Sequence, residues 1–125
     1  MKIGVITDCF KKNTRDSISL AGEMGFNGVQ IYAVTGEFSP ETLTREDIES
    51  YKKHLADNKL EVSALCGDLG GHGFEIAKDN TQRVEKTKRI IDLAVEFGTK
   101  VVTTHIGVIP ADKSSEKYGA MLSAL

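Results

Sequence analysis

The sequence is poor in the features that fix a chain's fold or location from outside its core. It holds two cysteines, Cys9 and Cys66. They are too far apart for a CxxC metal or redox site, and two isolated thiols fit a reducing compartment. No apolar run approaches the roughly 18 residues of a membrane span. The stretch Met1-Lys2-Ile3-Gly4-Val5-Ile6 is too short for the core of a signal peptide. These absences predict a cytoplasmic protein with no membrane partner. Charge of one sign is not in excess either, since 16 Lys and Arg against 18 Asp and Glu leave a net charge of −2. A nucleic-acid binder usually carries a basic stripe. Here the densest positive cluster, Lys86, Lys88 and Arg89, is mixed with Glu85 and Asp92 and reads as a solvated helix face. No nucleic-acid partner is expected.

What remains is an ordinary globular composition: 125 residues, 40% hydrophobic and 27% charged. A chain of that length buries a core without help from disulfides or metal. Short β-branched runs alternate with longer amphipathic ones. Residues 2–7 read as a first strand, closed by Asp8. Residues 14–24 have helical spacing, with Ile18, Ala21 and Met24 on one stripe and Gly25 as the stop. Residues 28–32 form a second strand, followed by a loop over 33–43. Thr44 is placed to cap a helix by accepting from the Asp47 backbone, and Ile48, Tyr51 and Leu55 mark that helix's apolar face. Residues 60–65 are a third strand and 66–74 a glycine-rich loop. Asp79 or Asn80 is a candidate cap for a long helix ending at Phe97 and Gly98, with Val84, Ile90, Ile91, Ala94 and Phe97 as its stripe. Residues 100–105 are a fourth strand. A last helix starts near 112–115 and runs to Leu125.

The order βαβαβαβα, with helices as crossovers, predicts an α/β fold with a parallel sheet. An internal repeat narrows this. Residues 20–29, LAGEMGFNGV, match residues 93–102, LAVEFGTKVV, at Leu, Ala, Glu, Gly and the last Val. The match lies two βα units apart, as a repeating βα ring requires. A (β/α)8 barrel takes about 250 residues. Residues 1–125 are therefore expected to be the N-terminal half of one barrel domain, four βα units cut in the fourth helix. A compact open α/β domain of similar size is the other reading.

Sites in parallel α/β folds lie at the carboxyl ends of the strands. Those ends offer Asp8 and Cys9, then Gln30 and Tyr32, then Cys66, Asp68 and His72, then His105. His54, among Lys52 and Lys53, reads as a surface residue. A histidine at the end of strand 4 suits metal ligation, a sugar hydroxyl or proton transfer, and its position favours that reading over a group merely satisfied by a backbone carbonyl. Asp8 is either a site carboxylate or a loop cap. The loop Gly67-Asp68-Leu69-Gly70-Gly71-His72-Gly73 is either a closing loop over a polyol or anion or simply mobile. It is neither a P-loop nor a dinucleotide fingerprint.

The run Leu60-Glu61-Val62-Ser63-Ala64-Leu65-Cys66-Gly67-Asp68-Leu69-Gly70-Gly71 resembles the third strand and loop of the sugar phosphate isomerase/epimerase family, the xylose-isomerase-like barrels. The start Lys2-Ile3-Gly4-Val5, the turn 25–30 and the segment 97–105 into strand 4 are similar to the same family. The resemblance implies a TIM barrel that moves a proton next to a sugar carbonyl, with a divalent metal (Mn, Mg, Co or Zn) polarising that carbonyl. It implies a small sugar or sugar phosphate as partner. His105, His72, Asp68, Gln30 and Tyr32 become substrate contacts, with His105 a candidate metal ligand as in related barrels that hydrolyse abasic DNA. Gln30 stands where such proteins often carry Glu, and an amide cannot act as a base. Catalytic residues are not assigned within residues 1–125, because the family draws them from strands 5 to 8, and the chain alone is expected to be inactive. An abasic-site endonuclease-like barrel and a non-enzymatic receiver-like domain are the alternatives. Open edges at strands 1 and 4 predict self-association.

Overall fold

A computed structural model describes residues Met1–Leu125. Four strands alternate with four helices: β1 (Gly4–Ile6), α1 (Thr14–Glu23), β2 (Gly28–Tyr32), α2 (Arg45–Asp57), β3 (Glu61–Cys66), α3 (Ala77–Glu96), β4 (Val102–Thr103) and α4 (Glu116–Ala124). Short 3₁₀ turns follow β1 (Thr7–Phe10) and β2 (Gly36–Phe38).

The strands form one parallel sheet in the order β1-β2-β3-β4. Sequential order with helical crossovers is the winding of a (β/α)8 barrel, and the chain folds as its N-terminal half. A receiver-like sheet runs 2-1-3-4-5, with β1 between β2 and β3. Here β1 pairs with β2 alone, so the receiver-like alternative is set aside.

The register decides which side chains face which side. Gly4 pairs with Gly28 and Ile6 with Gln30. Between β2 and β3 the pairing starts as Val29 with Val62, then shifts to Gln30 with Ala64 and Tyr32 with Cys66. The shift is a bulge. Its freed polar groups are satisfied, because Ser63 Oγ donates to Val29 O (3.0 Å) and Thr99 Oγ1 to Ser63 O (3.0 Å). One sheet face carries Val29, Ile31, Val62 and Leu65. It is covered by Ile18 and Ala21 of α1, Tyr51 and Leu55 of α2, and Ile90, Leu93 and Ala94 of α3. The opposite, concave face carries Ile6, Gln30, Tyr32, Ala64, Cys66 and Thr103. No helix covers it, and Ile6 and Tyr32 remain 39% and 43% exposed.

Several local expectations need correction. The first strand is only Gly4–Ile6, and residues 7–10 turn away as a 3₁₀ helix. The fourth is only Val102–Thr103, because an edge strand finds partners on one side and Leu65 and Cys66 alone supply them. Neither Asp79 nor Asn80 caps α3; the helix begins two and three residues earlier, at Ala77, with no side-chain cap. Asn80 instead is buried and donates to Phe74 O and Ala120 O, each at 3.0 Å, tying α4 to α3. Met24 and Ile91 leave their predicted stripes and are exposed, while Leu93 takes the core position. His54 is no free surface residue: it is half-buried between α1 and α2, its Nε2 3.1 Å from both Ser19 Oγ and Arg15 O.

The start of α2 behaves as its sequence dictates. Thr44 Oγ1 accepts from the Asp47 backbone N–H, and the Asp47 carboxylate accepts from the Thr44 backbone N–H, a complete capping box. Hydrogen bonds from the Thr44 hydroxyl and then its backbone hold the Asp47 carboxyl below its usual range. Thr44→Ala is expected to cost about 1 kcal/mol, read as a lower urea midpoint. Asp47's lowered pKa adds stability above its unfolded pKa that is lost as pH falls through the folded value. The cost of Thr44→Ala should therefore shrink on acidification through the carboxylate range. An unchanged cost at low pH would show that Asp47 takes no part.

Candidate functional site

The carboxyl ends of the four strands meet on the concave face. Gln30 reaches sideways over β3: its Nε2 donates to Thr103 Oγ1 of β4 (3.0 Å). Two strand spacings, about 10 Å, are bridged because the β3 residue opposite Gln30 is the small Ala64. One turn further along the strands Tyr32 stands opposite Cys66, and Cys66 opposite Thr103. The neighbouring Cys66 thiol, by charge and by hydrogen bond, pushes the Tyr32 phenol above its ordinary pKa; burial and the charges of Asp8 and Asp68 add to it. Asp8 and Asp68 thus lie within electrostatic reach of the same phenol. Below them Thr7 Oγ1 donates to Gln30 O (3.3 Å), fixing the turn after β1 against β2.

The loop after β3 is built, not slack. Asp68 Oδ1 accepts from Gly70 N–H (2.7 Å), an Asx turn. Arg83 of α3 donates through Nη2 to Gly70 O. Phe74 N–H donates to Ile106 O (2.9 Å), and Glu75 Oε1 accepts from Val108 N–H (2.8 Å), so the loops after β3 and β4 clasp each other. The Val108 amide, then the Lys117 ammonium (2.9 Å away), hold the Glu75 carboxyl below its usual range.

The structure brings Gln30, Tyr32 and Asp68 to one face and edge, with Asp8 beside them. His72 is engaged elsewhere: its Nε2 lies 3.0 Å from Asp79 Oδ2 in the first turn of α3, and its Nδ1 is buried without a partner. His105 lies two residues past β4, exposed, with no protein hydrogen bond to its ring. Cys66 and Thr103 were not among the expected contacts. Thr103 is legible in hindsight, because it shares a strand face with His105 by the period of two. Arg83, which braces the loop from a helix, has no signal in the sequence.

Nowhere do three His, Cys, Asp or Glu side chains converge as metal ligands. The strand ends of residues 1–125 thus present no preformed cluster of three such ligands. No helix is long and apolar enough to cross a membrane.

The model of the xylose isomerase-like TIM barrel family matches residues 18–125. No curated protein matches the chain. Among solved structures, a xylose isomerase domain protein from Planctomyces limnophilus superposes with a TM-score of 0.76 at 23% identity, over 98% of this chain and 46% of its own. D-psicose 3-epimerase, solved in the presence of D-fructose, gives 0.73 at 12% identity over 99% and 46%. A family 2 AP endonuclease from Brucella melitensis gives 0.70 at 14% identity over 99% and 48%. The chain thus spans about half the length of these barrels. At these identities the likeness shows the fold alone, while the family match covers most of the sequence: the chain belongs to the xylose isomerase-like TIM barrel family.

Proposed function

We propose that the chain forms the sugar-holding half of the mouth of a sugar isomerase/epimerase barrel. The observation that carries this reading is the polar row across the concave face, Gln30 bridged to Thr103 beside Tyr32 and Asp68. Adjacent donors and acceptors of this kind suit the vicinal hydroxyls of a ketose or its phosphate. Gln30 Oε1 accepts, the Tyr32 phenol donates or accepts, and Asp68 keeps Oδ2 free while Oδ1 holds the loop. His105, unengaged by protein, offers a further donor at the end of β4. A phenol is protonated at neutral pH, so the Tyr32 hydroxyl is able to donate. In this reading a divalent cation polarises the sugar carbonyl, with ligands from outside residues 1–125. Gln30, being an amide, orients a hydroxyl and moves no proton. The same strand ends carry no basic cluster, which disfavours an abasic-DNA substrate.

Titration of the isotope-labelled chain with D-fructose tests the reading. Amide shifts are expected at Gln30, Tyr32, Asp68 and His105, with none on the solvent side of α2. Tyr32→Phe and Gln30→Ala should each weaken binding roughly five- to tenfold, the worth of one hydrogen bond of about 1–1.4 kcal/mol. No shifts with D-fructose, D-psicose or a ketose phosphate would rule this half out as a sugar-holding surface.

A further inference from the structure

We propose that Arg83 is a positioning residue of the sugar-holding rim, setting the direction of the Asp68 carboxylate through Gly70; this role presupposes the sugar-holding reading, but the grip on Gly70 does not.

Asp68 stands where the packing of β3 ends. The residue before it is seated in the core: a Cβ on Gly67 would lie 3.1 Å from Val102 Cγ1 and 3.3 Å from Ile90 Cγ2. Gly67 N–H donates to Thr103 O (2.8 Å), and Gly67 O accepts from the Thr104 hydroxyl (3.3 Å). Leu69, the residue after it, also packs against the core. Beyond Leu69 that support stops. Gly70 and Gly71 have φ +66° and +63°, and nothing lies within 4 Å of a Cβ built on either. Glycine visits both signs of φ readily, so an unpacked pair has several conformations of similar energy. Yet this turn aims the carboxylate, because Asp68 Oδ1 accepts from Gly70 N–H (2.7 Å). A fixed donor on one carboxylate oxygen fixes the direction of the other.

The first turns of α3 hold the loop at three points. Asp79 Oδ2 lies 3.0 Å from His72 Nε2, Asn80 Nδ2 donates to Phe74 O (3.0 Å), and Arg83 Nη2 donates to Gly70 O. Positions 79, 80 and 83 share one helix face by the spacing of three and four. The grips on His72 and Phe74 fall past the turn that carries Asp68. Arg83 alone of the three holds Gly70, the residue whose N–H binds the carboxylate. Arg83 is itself placed, with its guanidinium carbon 6.0 Å over the buried ring of Phe74. A planar guanidinium laid on a fixed ring loses little freedom on meeting a carbonyl. The contacts thus run in series from α3 to the rim: Phe74 places Arg83, Arg83 places Gly70, and Gly70 places Asp68. With Oδ1 held, Oδ2 is the oxygen left to accept from a sugar hydroxyl. Without the grip, the turn must be ordered as the sugar binds, and affinity falls.

Fast amide exchange and ketose titration test this on the isotope-labelled chain, Arg83→Met, Asp68→Ala and the double variant. Methionine keeps an apolar stem beside Phe74 and removes the donor. In Arg83→Met the Gly70 amide should exchange as fast as in Asp68→Ala, where its acceptor is gone. Ile31 and Leu65, inside the sheet, should keep their protection. D-fructose binding should weaken about fivefold, the worth of a single hydrogen bond. In the Asp68→Ala background the same substitution should weaken it no further, because residues that act through one another are not additive. Arg83→Lys, which keeps a donor, should restore part of both effects. An unchanged Gly70 amide in Arg83→Met overturns the proposal. So does a loss of protection that reaches Ile31 and Leu65, which would make Arg83 a support of the whole fold. Equal weakening of binding with and without Asp68 overturns it too. If the unaltered chain binds no ketose, the sugar-holding reading fails by itself, and Gly70 exchange still decides whether Arg83 places the carboxylate.

Discussion

Phe38→Ala should lower the free energy of unfolding by about 4 kcal/mol, near the top of the range for large-to-small core substitutions. Phe38 is 1% exposed although it sits in the short 3₁₀ turn between β2 and α2. Its ring meets Tyr51 of α2 edge-on (centroids 4.9 Å apart, planes at 79°) and Phe97 at the end of α3 at a tilt (4.9 Å, 41°). The Arg15 guanidinium of α1 stacks over Tyr51 at 4.3 Å. One ring therefore holds a loop and two helices, and through Tyr51 touches a third. Truncation removes the buried area, both aromatic contacts (each about 0.5–1.5 kcal/mol) and leaves a cavity walled by rigid rings. Phe38→Leu keeps most of the volume and should cost less than about 1.5 kcal/mol. Urea unfolding measures both, as a shift of midpoint at constant slope. A loss under about 1 kcal/mol for Phe38→Ala would mean that the turn is not seated in the core.

Phe38 also shows what the sequence displays and what it hides. Local chemistry was legible. Thr44 with Asp47 starts α2, Gly25 and Gly98 adopt positive φ at helix ends, and α4 begins at Glu116, next to the expected start at 112–115. The order of strands and helices followed from periodicity, and the repeat with the family resemblance made it a half-barrel. Hidden were the effects of partners distant in sequence. Phe38 lies in a polar stretch with no period, and only Tyr51 and Phe97 make it core. The bulge between Val29 and Gln30 is a property of the β2–β3 pair, and it puts Ala64 and Cys66 on the concave face. The Gln30–Thr103 bridge depends on that register, so it could not be read from either strand alone. His72, placed among the site residues by its loop, is taken by Asp79 once α3 starts at Ala77.

Gly73→Ala is the second change with a large expected effect, and it acts on the mouth. Gly73 has φ +60°, where an alanine is strained by about 1–2 kcal/mol. A Cβ there would also lie 2.2 Å from Gly107 N and from Ile106 C. Those are backbone atoms with no rotamer to move. The two loops must separate, breaking the bond from Phe74 N–H to Ile106 O and loosening Glu75 from Val108 N–H. Strain plus two lost hydrogen bonds, at about 1 kcal/mol each, amount to roughly 3–4 kcal/mol. Gly70 separates strain from collision. Its φ is +66°, but nothing lies within 4 Å of a Cβ built on it. Gly70→Ala should therefore cost only the strain, about 1–2 kcal/mol. Hydrogen exchange reports the difference by residue. Gly73→Ala should lose protection at Phe74 and Val108 while Ile31 and Leu65, inside the sheet, keep theirs. Asp68 and His105 flank the clasp in sequence, so under the proposed sugar-holding role Gly73→Ala should also weaken the ketose binding that role requires, where Gly70→Ala does not. Equal exchange in the two variants would show that the loops after β3 and β4 do not touch in solution, and Asp68 and His105 would then have no common frame.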